Sequence, residues 1–133
     1  MVGAHTFGRS RCQFFDRRLN VSNPDNTLDA SYAAQLRRAC ARGRDTFVNL
    51  DPTTPDAFDK NYFTNLQSNF GLLGSDQVLF STPGSDTVGI VNTFARSQQQ
   101  FFNSFGQSMI NMGNIKPLTG NKGEIRSNCR RLN

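Results

Sequence analysis

Tryptophan is absent from the 133 residues, tyrosine occurs twice and histidine only once. A single histidine, His5, excludes any mechanism completed within this chain that needs two imidazoles. No stretch approaches the roughly 18 apolar residues that a membrane-spanning helix requires, so no membrane partner is expected. The opening residues, Met1 to Gly8, have neither the charged start nor the apolar core of a signal peptide. Cysteine is sparse as well. Cys12, Cys40 and Cys129 are widely separated, and with no Cys-x-x-Cys pair and no second histidine a zinc site is the weaker reading. Three cysteines leave one without a mate and point to a partner outside the chain.

What is present is modest in charge and rich in phenylalanine. Hydrophobic residues make up 36% of the chain, charged residues 19%, and twelve phenylalanines carry much of the apolar content. The length suits one loop-rich globular domain with a real core. The formal net charge of +5 rests on arginines spread in three groups, at Arg9 to Arg18, Arg37 to Arg44 and Arg126 to Arg131. They lie in no RNA- or DNA-binding motif, so a cationic solvated surface is expected and a nucleic-acid partner is not. Asn20-Val21-Ser22 is an acceptor pattern for N-glycosylation at Asn20.

The local pattern is helical. Val2, Ala4 and Phe7 are apolar with no capping residue before them, as if a helix enters from upstream. Residues 20–29 read as a surface loop. A helix is predicted from about Ser31 to Ala39, with Tyr32, Leu36 and Cys40 on its apolar side. Thr54 and Pro55 suit the N-cap and first position of a helix that buries Phe58, Tyr62, Phe63 and Leu66 and ends near Gly71. Residues 72–85 read as irregular. A helix begins at Asp86, and Ser97 with Gln100 resembles a capping box for another, whose Phe101, Phe102, Phe105, Met109 and Met112 form a core-facing stripe. The tail from Asn114 has the look of a segment laid across a surface.

Three places could carry chemistry. Around His5, the run Gly3-Ala4-His5-Thr6-Phe7-Gly8 is built of small residues, which leaves room for a bulky planar group near the backbone. A metal-binding histidine needs an acceptor for its other ring nitrogen, and Asp76 is a candidate by type. Asp51, Thr54 and Asp59 offer hard oxygen ligands of the sort calcium takes, without the spacing of an EF-hand. A capped turn with solvated carboxylates is the plainer reading of that stretch.

Taken together these segments resemble the C-terminal portion of class III plant peroxidases, the secreted haem enzymes related to horseradish peroxidase. The likeness runs through nearly the whole chain. Gly3 to Gly8 resembles the proximal haem motif, Asp51-x-x-Thr54-Pro55-x-x-Phe58-Asp59 the second calcium loop, and Gly71-Leu72-Leu73-x-Ser75-Asp76-Gln77-x-Leu79-Phe80 the segment carrying the proximal aspartate. Met112 to Gly120, and Gly123-Glu124-Ile125-Arg126 with Asn128-Cys129, resemble the family's ending.

The resemblance implies an all-α fold in which residues 1–133 form the proximal, haem-ligating domain portion, with the N-terminal distal half absent. It implies haem b on His5, a hydrogen bond from the His5 ring to Asp76, and calcium on Thr6, Asp51, Thr54, the Ala57 carbonyl and Asp59. Cys12 and Cys40 would form a disulfide, and Cys129 would pair within the missing half. The implied reaction is oxidation of small phenolic donors by hydrogen peroxide, in a secreted, extracellular or vacuolar protein. The family's distal histidine and arginine lie upstream of the opening motif, so no catalytic acid-base residue is expected here. Met1 then reads as the start of a truncated product or partial record with little activity of its own. The alternative is a non-catalytic haem- and calcium-binding fragment, or a basic module that binds the cell wall.

Overall fold

The computed structural model describes residues 2–133, apart from the side chain of Val2. The chain is mostly helical, with five α-helices and one two-stranded ribbon among the described residues. A 3-10 turn at Val2–Thr6 leads into β1 (Arg9–Arg11), which pairs antiparallel with β2 (Phe47–Asn49) in the register Arg9 to Asn49, Ser10 to Val48 and Arg11 to Phe47. The guanidinium groups of Arg9 and Arg11 lie over the Phe47 ring, 5.6 and 5.2 Å from its centroid. Beside the ribbon, Cys12 and Cys40 form a disulfide.

α1 spans Ala30–Cys40, one residue beyond expectation at each end. Asp29 caps it by accepting from Tyr32 N at 2.9 Å, and Arg37 and Arg38 in the last turn suit the negative end of the helix dipole. Tyr32 and Leu36 are buried as the spacing predicted. With Cys12, Phe15, Leu19, Leu28, Ala33, Leu50 and Leu72 they make the first core cluster.

α2 (Asn61–Gln67) starts later than its sequence suggested. Thr54 is no N-cap: Asp51 Oδ1 accepts from Thr53 N and Thr54 N, and Asp59 Oδ1 accepts from Asn61 N at 2.7 Å, so side-chain carboxylates hold residues 51–60 in turns. Gly71 is not the cap either. Asn69, with φ of 59°, makes the left-handed turn after α2, while Gly71 is small because a Cβ there would meet Gln77 Oε1 and Leu66 Cδ2 at 2.8 Å.

Residues 74–81, read as irregular, form α3 (Gly74–Ser81). The Asp76 carboxylate reaches back to Leu73 N at 3.3 Å and starts the helix as the acidic half of a capping box. α4 (Asp86–Arg96) and α5 (Gln98–Gly113) begin where expected, and Ser97 Oγ accepts from Gln100 N. Tyr62, Phe63, Leu66, Val91, Ala95 and Phe101 form the second core cluster. The stripe on α5 is core only in part. Phe101 is buried and Phe102 and Phe105 half-buried, but Met109 and Met112 are exposed, and so is every residue from 106 to 133. The tail is therefore not laid into the surface; its hydrogen bonds, such as Asn133 Nδ2 to the Ile125 carbonyl, are with itself.

Candidate functional site

The two clusters meet at the turn that carries His5. Its Nδ1 lies 2.8 Å from Asp76 Oδ1, a contact between residues 71 apart in sequence. An ionised carboxylate only accepts, so Nδ1 carries the proton and donates it to Asp76. The tautomer leaves the Nε2 lone pair free, on a side chain that is 35% exposed, while Asp76 is fully buried. The hydrogen bond to Asp76 holds the His5 pKa above its ordinary value, against partial burial, which acts to lower it. A basic, oriented imidazole with one free nitrogen is what a metal ion asks of a histidine.

Asp76 is held in place by residues whose role has no local signature in the sequence. Gln77, fully buried, accepts from Gly71 N at 3.0 Å and donates to the Leu66 carbonyl, Asn69 Oδ1 and Ser81 Oγ, tying α2 to α3. Arg18 is not part of a solvated cationic surface. It is buried and donates to the carbonyls of Gly71 and Leu72 and to Asp25 Oδ2 at 2.6 Å, fixing the approach to α3. A further aromatic, Tyr62, stands edge-on to the His5 ring, with centroids 6.4 Å apart and planes at 88°. Burial, then the charge of Asp76, pushes its phenol well above the usual tyrosine value.

Two of the small residues around His5 also have packing and backbone reasons to be small. A Cβ on Gly3 would meet Phe101 at 2.8 Å and Phe63 at 3.3 Å, so Gly3 admits the second core close to the backbone. Gly8 is required by its backbone, at φ of 110°. Phe7, 55% exposed, is the large apolar side chain left open beside the histidine motif.

The second group of sequence candidates also converges. Thr6 Oγ1 donates to the Asp59 carbonyl at 2.8 Å, and Thr6 is fully buried. Asp51, 1% exposed, accepts at Oδ1 from Asn65 Nδ2 at 2.8 Å, and its Oδ2 has only the Thr54 hydroxyl at 3.4 Å. Asn61 Nδ2 bridges Thr54 Oγ1 and Asp59 Oδ2 at 3.1 and 3.2 Å. Thr6, Asp51, Thr54 and Asp59 thus lie on one network of oxygens. The buried carboxylate of Asp51 has no cationic side chain against it among the ion pairs of the described residues. Burial of an uncompensated carboxylate is costly, and hard oxygens around it fit calcium by chemical type. No cluster of three or more His, Cys, Asp or Glu that could hold a metal occurs among the described residues. A cation here would lean on hydroxyl and carbonyl oxygens for the rest of its ligands.

The remaining candidates are plain. Asn20 is exposed, its Oδ1 accepting from Ser22 N and Asn23 N. Cys12 and Cys40 are bonded, and Cys129 is a free, exposed thiol. Among the described residues no helix is long and apolar enough to cross a membrane.

Comparison with known proteins shows the family. Peroxidase 2 of Cucumis sativus is 82% identical over 133 residues, all of this chain and 46% of the relative. Peroxidase 15 of Ipomoea batatas is 61% identical over 139 aligned residues, all of this chain and 42% of the relative. The lignin-forming anionic peroxidase of Nicotiana tabacum is 55% identical over 140, again all of this chain and 43% of the relative. The chain therefore spans less than half the length of the curated relatives it matches. Residues 1–97 match the family model described as peroxidase, and the chain belongs to that family.

Proposed function

We propose that this chain is the haem-ligating portion of a secreted plant peroxidase, with residues 1–133 as the proximal side of the haem site. His5 Nε2 is the iron ligand, Asp76 the acceptor that orients its ring, and the observation that carries the reading is the 2.8 Å bond between them. When bound, the haem supplies the redox chemistry by which hydrogen peroxide is reduced and small phenolic donors are oxidised. The chain's own contribution is to hold the imidazole with its proton on Nδ1 and to make it a strong donor, because a buried carboxylate pulling on that proton pushes electron density toward Nε2. Calcium would be held by Thr6, Asp51, Thr54 and Asp59. Its charge would offset buried Asp51, and its ligands would tie the turn bearing His5 to the 51–59 loop. Cys129 would pair with a cysteine outside this sequence, and Asn20 is open to glycosylation in a secreted or vacuolar setting.

One histidine in the chain favours a second reading for the chain by itself, that of a haem- and calcium-binding unit with little turnover. General acid-base proton transfer is worth roughly 10²- to 10⁴-fold, and His5, engaged by Asp76 and the iron, is not free to supply it. Peroxidase activity per haem is expected to lie little above that of free haemin.

The test is a haemin titration of the calcium-loaded chain, followed by the Soret band beside His5→Ala. Saturable binding that His5→Ala abolishes supports the assignment; equal binding by both proteins removes it. Salt-sensitive binding to pectin with no haem affinity would instead favour a basic wall-binding module.

A further inference from the structure

Two buried groups beside His5 have unmet hydrogen-bonding capacity, the Tyr62 hydroxyl and the Asp76 carboxylate. Tyr62 is 1% exposed, and its hydroxyl is sealed from solvent with no hydrogen-bond partner in good geometry. Asp76 is 0% exposed. One of its oxygens accepts from His5 Nδ1 and the other has a single long bond from Leu73 N at 3.3 Å. A carboxylate has about four acceptor sites, so most of its capacity is open in a site that water does not reach. A buried donor without an acceptor and a buried carboxylate short of donors each carry a desolvation cost that a bond between them would relieve.

The ring leaves the hydroxyl little choice. Edge contacts with His5 and with Phe63, at 5.0 Å, fix its plane, and only the hydroxyl hydrogen turns freely. The Tyr62 ring lies edge-on to the imidazole whose Nδ1 is 2.8 Å from Asp76, which brings phenol and carboxylate to the same side chain; burial first, then the charge of Asp76 and a hydrogen bond to it, push the phenol pKa up. Tyr32 is a built-in control. Its hydroxyl is likewise sealed and unpartnered, but the carboxylate acting on it, Asp51, does so by charge alone.

We propose that the Tyr62 hydroxyl donates to the Asp76 carboxylate and thereby limits how strongly Asp76 draws on the His5 Nδ1 proton, making Tyr62 a positioning residue that sets the donor strength of His5. The proposal rests on the reading of His5 as the iron ligand. A carboxylate that shares its charge with a phenol is a weaker acceptor for imidazole; without the phenol it pulls harder, and His5 gains imidazolate character.

Tyr62→Phe keeps the ring and removes only the donor. In the haemin-loaded chain the iron–histidine stretch is expected to move to higher frequency in Tyr62→Phe. The ferric-to-ferrous ratio at fixed potential should rise about threefold, the scale of one modest hydrogen bond, or about 28 mV at about 59 mV per tenfold for one electron. Tyr32→Phe should move neither. Saturable haem binding through His5 with both readouts unchanged in Tyr62→Phe overturns the proposal and leaves the ligand assignment standing. Should His5→Ala bind haemin as the parent does, the ligand assignment fails instead, and the haem-free chain decides the hydrogen bond. With only two tyrosines, the Raman Fermi doublet of Tyr32→Phe reports Tyr62 alone. A donor-type doublet that changes in Asp76→Asn keeps the bond, and a doublet matching that of Tyr32, read in Tyr62→Phe, refutes it.

Discussion

The two core clusters are held by different means. The first, around Cys12, Phe15, Tyr32 and Leu36, is braced by a covalent crosslink, a buried arginine and a ribbon of paired backbone. The second, around Phe63 and Phe101, has no covalent crosslink and rests on aromatic packing and side-chain hydrogen bonds. Phe58, Phe63, Phe94, Phe102 and Phe105 surround Phe101 at centroid distances of 4.9 to 5.9 Å, and side-chain hydrogen bonds, Lys60 Nζ to the Ala95 carbonyl, Gln67 to Asn92 and Gln77 to the Leu66 carbonyl, tie its helices together. His5 and Asp76 sit where the two meet. A site of fixed geometry can thus be assembled from a lobe that is covalently stapled and a lobe held by packing and hydrogen bonds.

The contrast is broken most severely from the packed side. Phe101→Ala removes the ring about which the second cluster is arranged and is expected to cost about 4 kcal/mol, measured by urea unfolding. Losing the crosslink comes next. Reducing the Cys12–Cys40 bond should cost about 3.5 kcal/mol on the loop-entropy account, read as a drop in melting temperature with reductant that a Cys12→Ser, Cys40→Ser variant does not show.

Acid sharpens the comparison within the stapled lobe. Burial acts to raise the Asp25 pKa, but hydrogen bonds from Arg18 and Thr27 outweigh it and hold the carboxyl below its ordinary value. The unfolded state therefore binds the proton first. The stabilisation is complete above the usual aspartate range, near pH 4, and is lost as the pH falls through the lower folded value. Asp25→Asn should flatten the acid limb of a circular-dichroism titration and leave stability near neutrality to the remaining Arg18 bonds. The smallest effect lies beyond both clusters. Met109→Ser, on the exposed half of α5, should shift stability by no more than about 0.5 kcal/mol.

The sequence spoke clearly where structure is local. α1, α4 and α5 start near their capping residues, and Tyr32 and Leu36 of α1 and Tyr62, Phe63 and Leu66 of α2 were visible in their spacing, while Phe58, expected with them, lies before α2 and is exposed. It misled where side chains compete with the backbone or act at a distance. Asp51 accepts from Thr53 N and Thr54 N and Asp59 from Asn61 N, holding residues 51–60 in turns where a helix from Pro55 was expected, and α3 owes its footing to Arg18 and Gln77 rather than to periodicity. The candidate site was legible as motifs, because His5, Asp76 and the Asp51–Asp59 loop each resemble a known segment. The approach of His5 to Asp76 has no local trace. Tyr62 was hidden differently: an aromatic at helical spacing reads as core, which it is, and its hydroxyl gives no sign of where it points.

Bringing His5 to Asp76 closes a loop of 71 residues. Ordering a chain over that span costs about 4 kcal/mol in closure entropy, which no nearby contact returns until both lobes have formed and docked. The Cys12–Cys40 crosslink lies inside the loop and shortens its path by 28 residues, easing the closure by about 0.4 kcal/mol. On this ground the imidazole is expected to reach its native position late as the chain folds. A signal that depends on the orientation of its ring reports that the whole domain has formed, and a partly folded chain presents the same residues without the geometry that would let them hold a ligand.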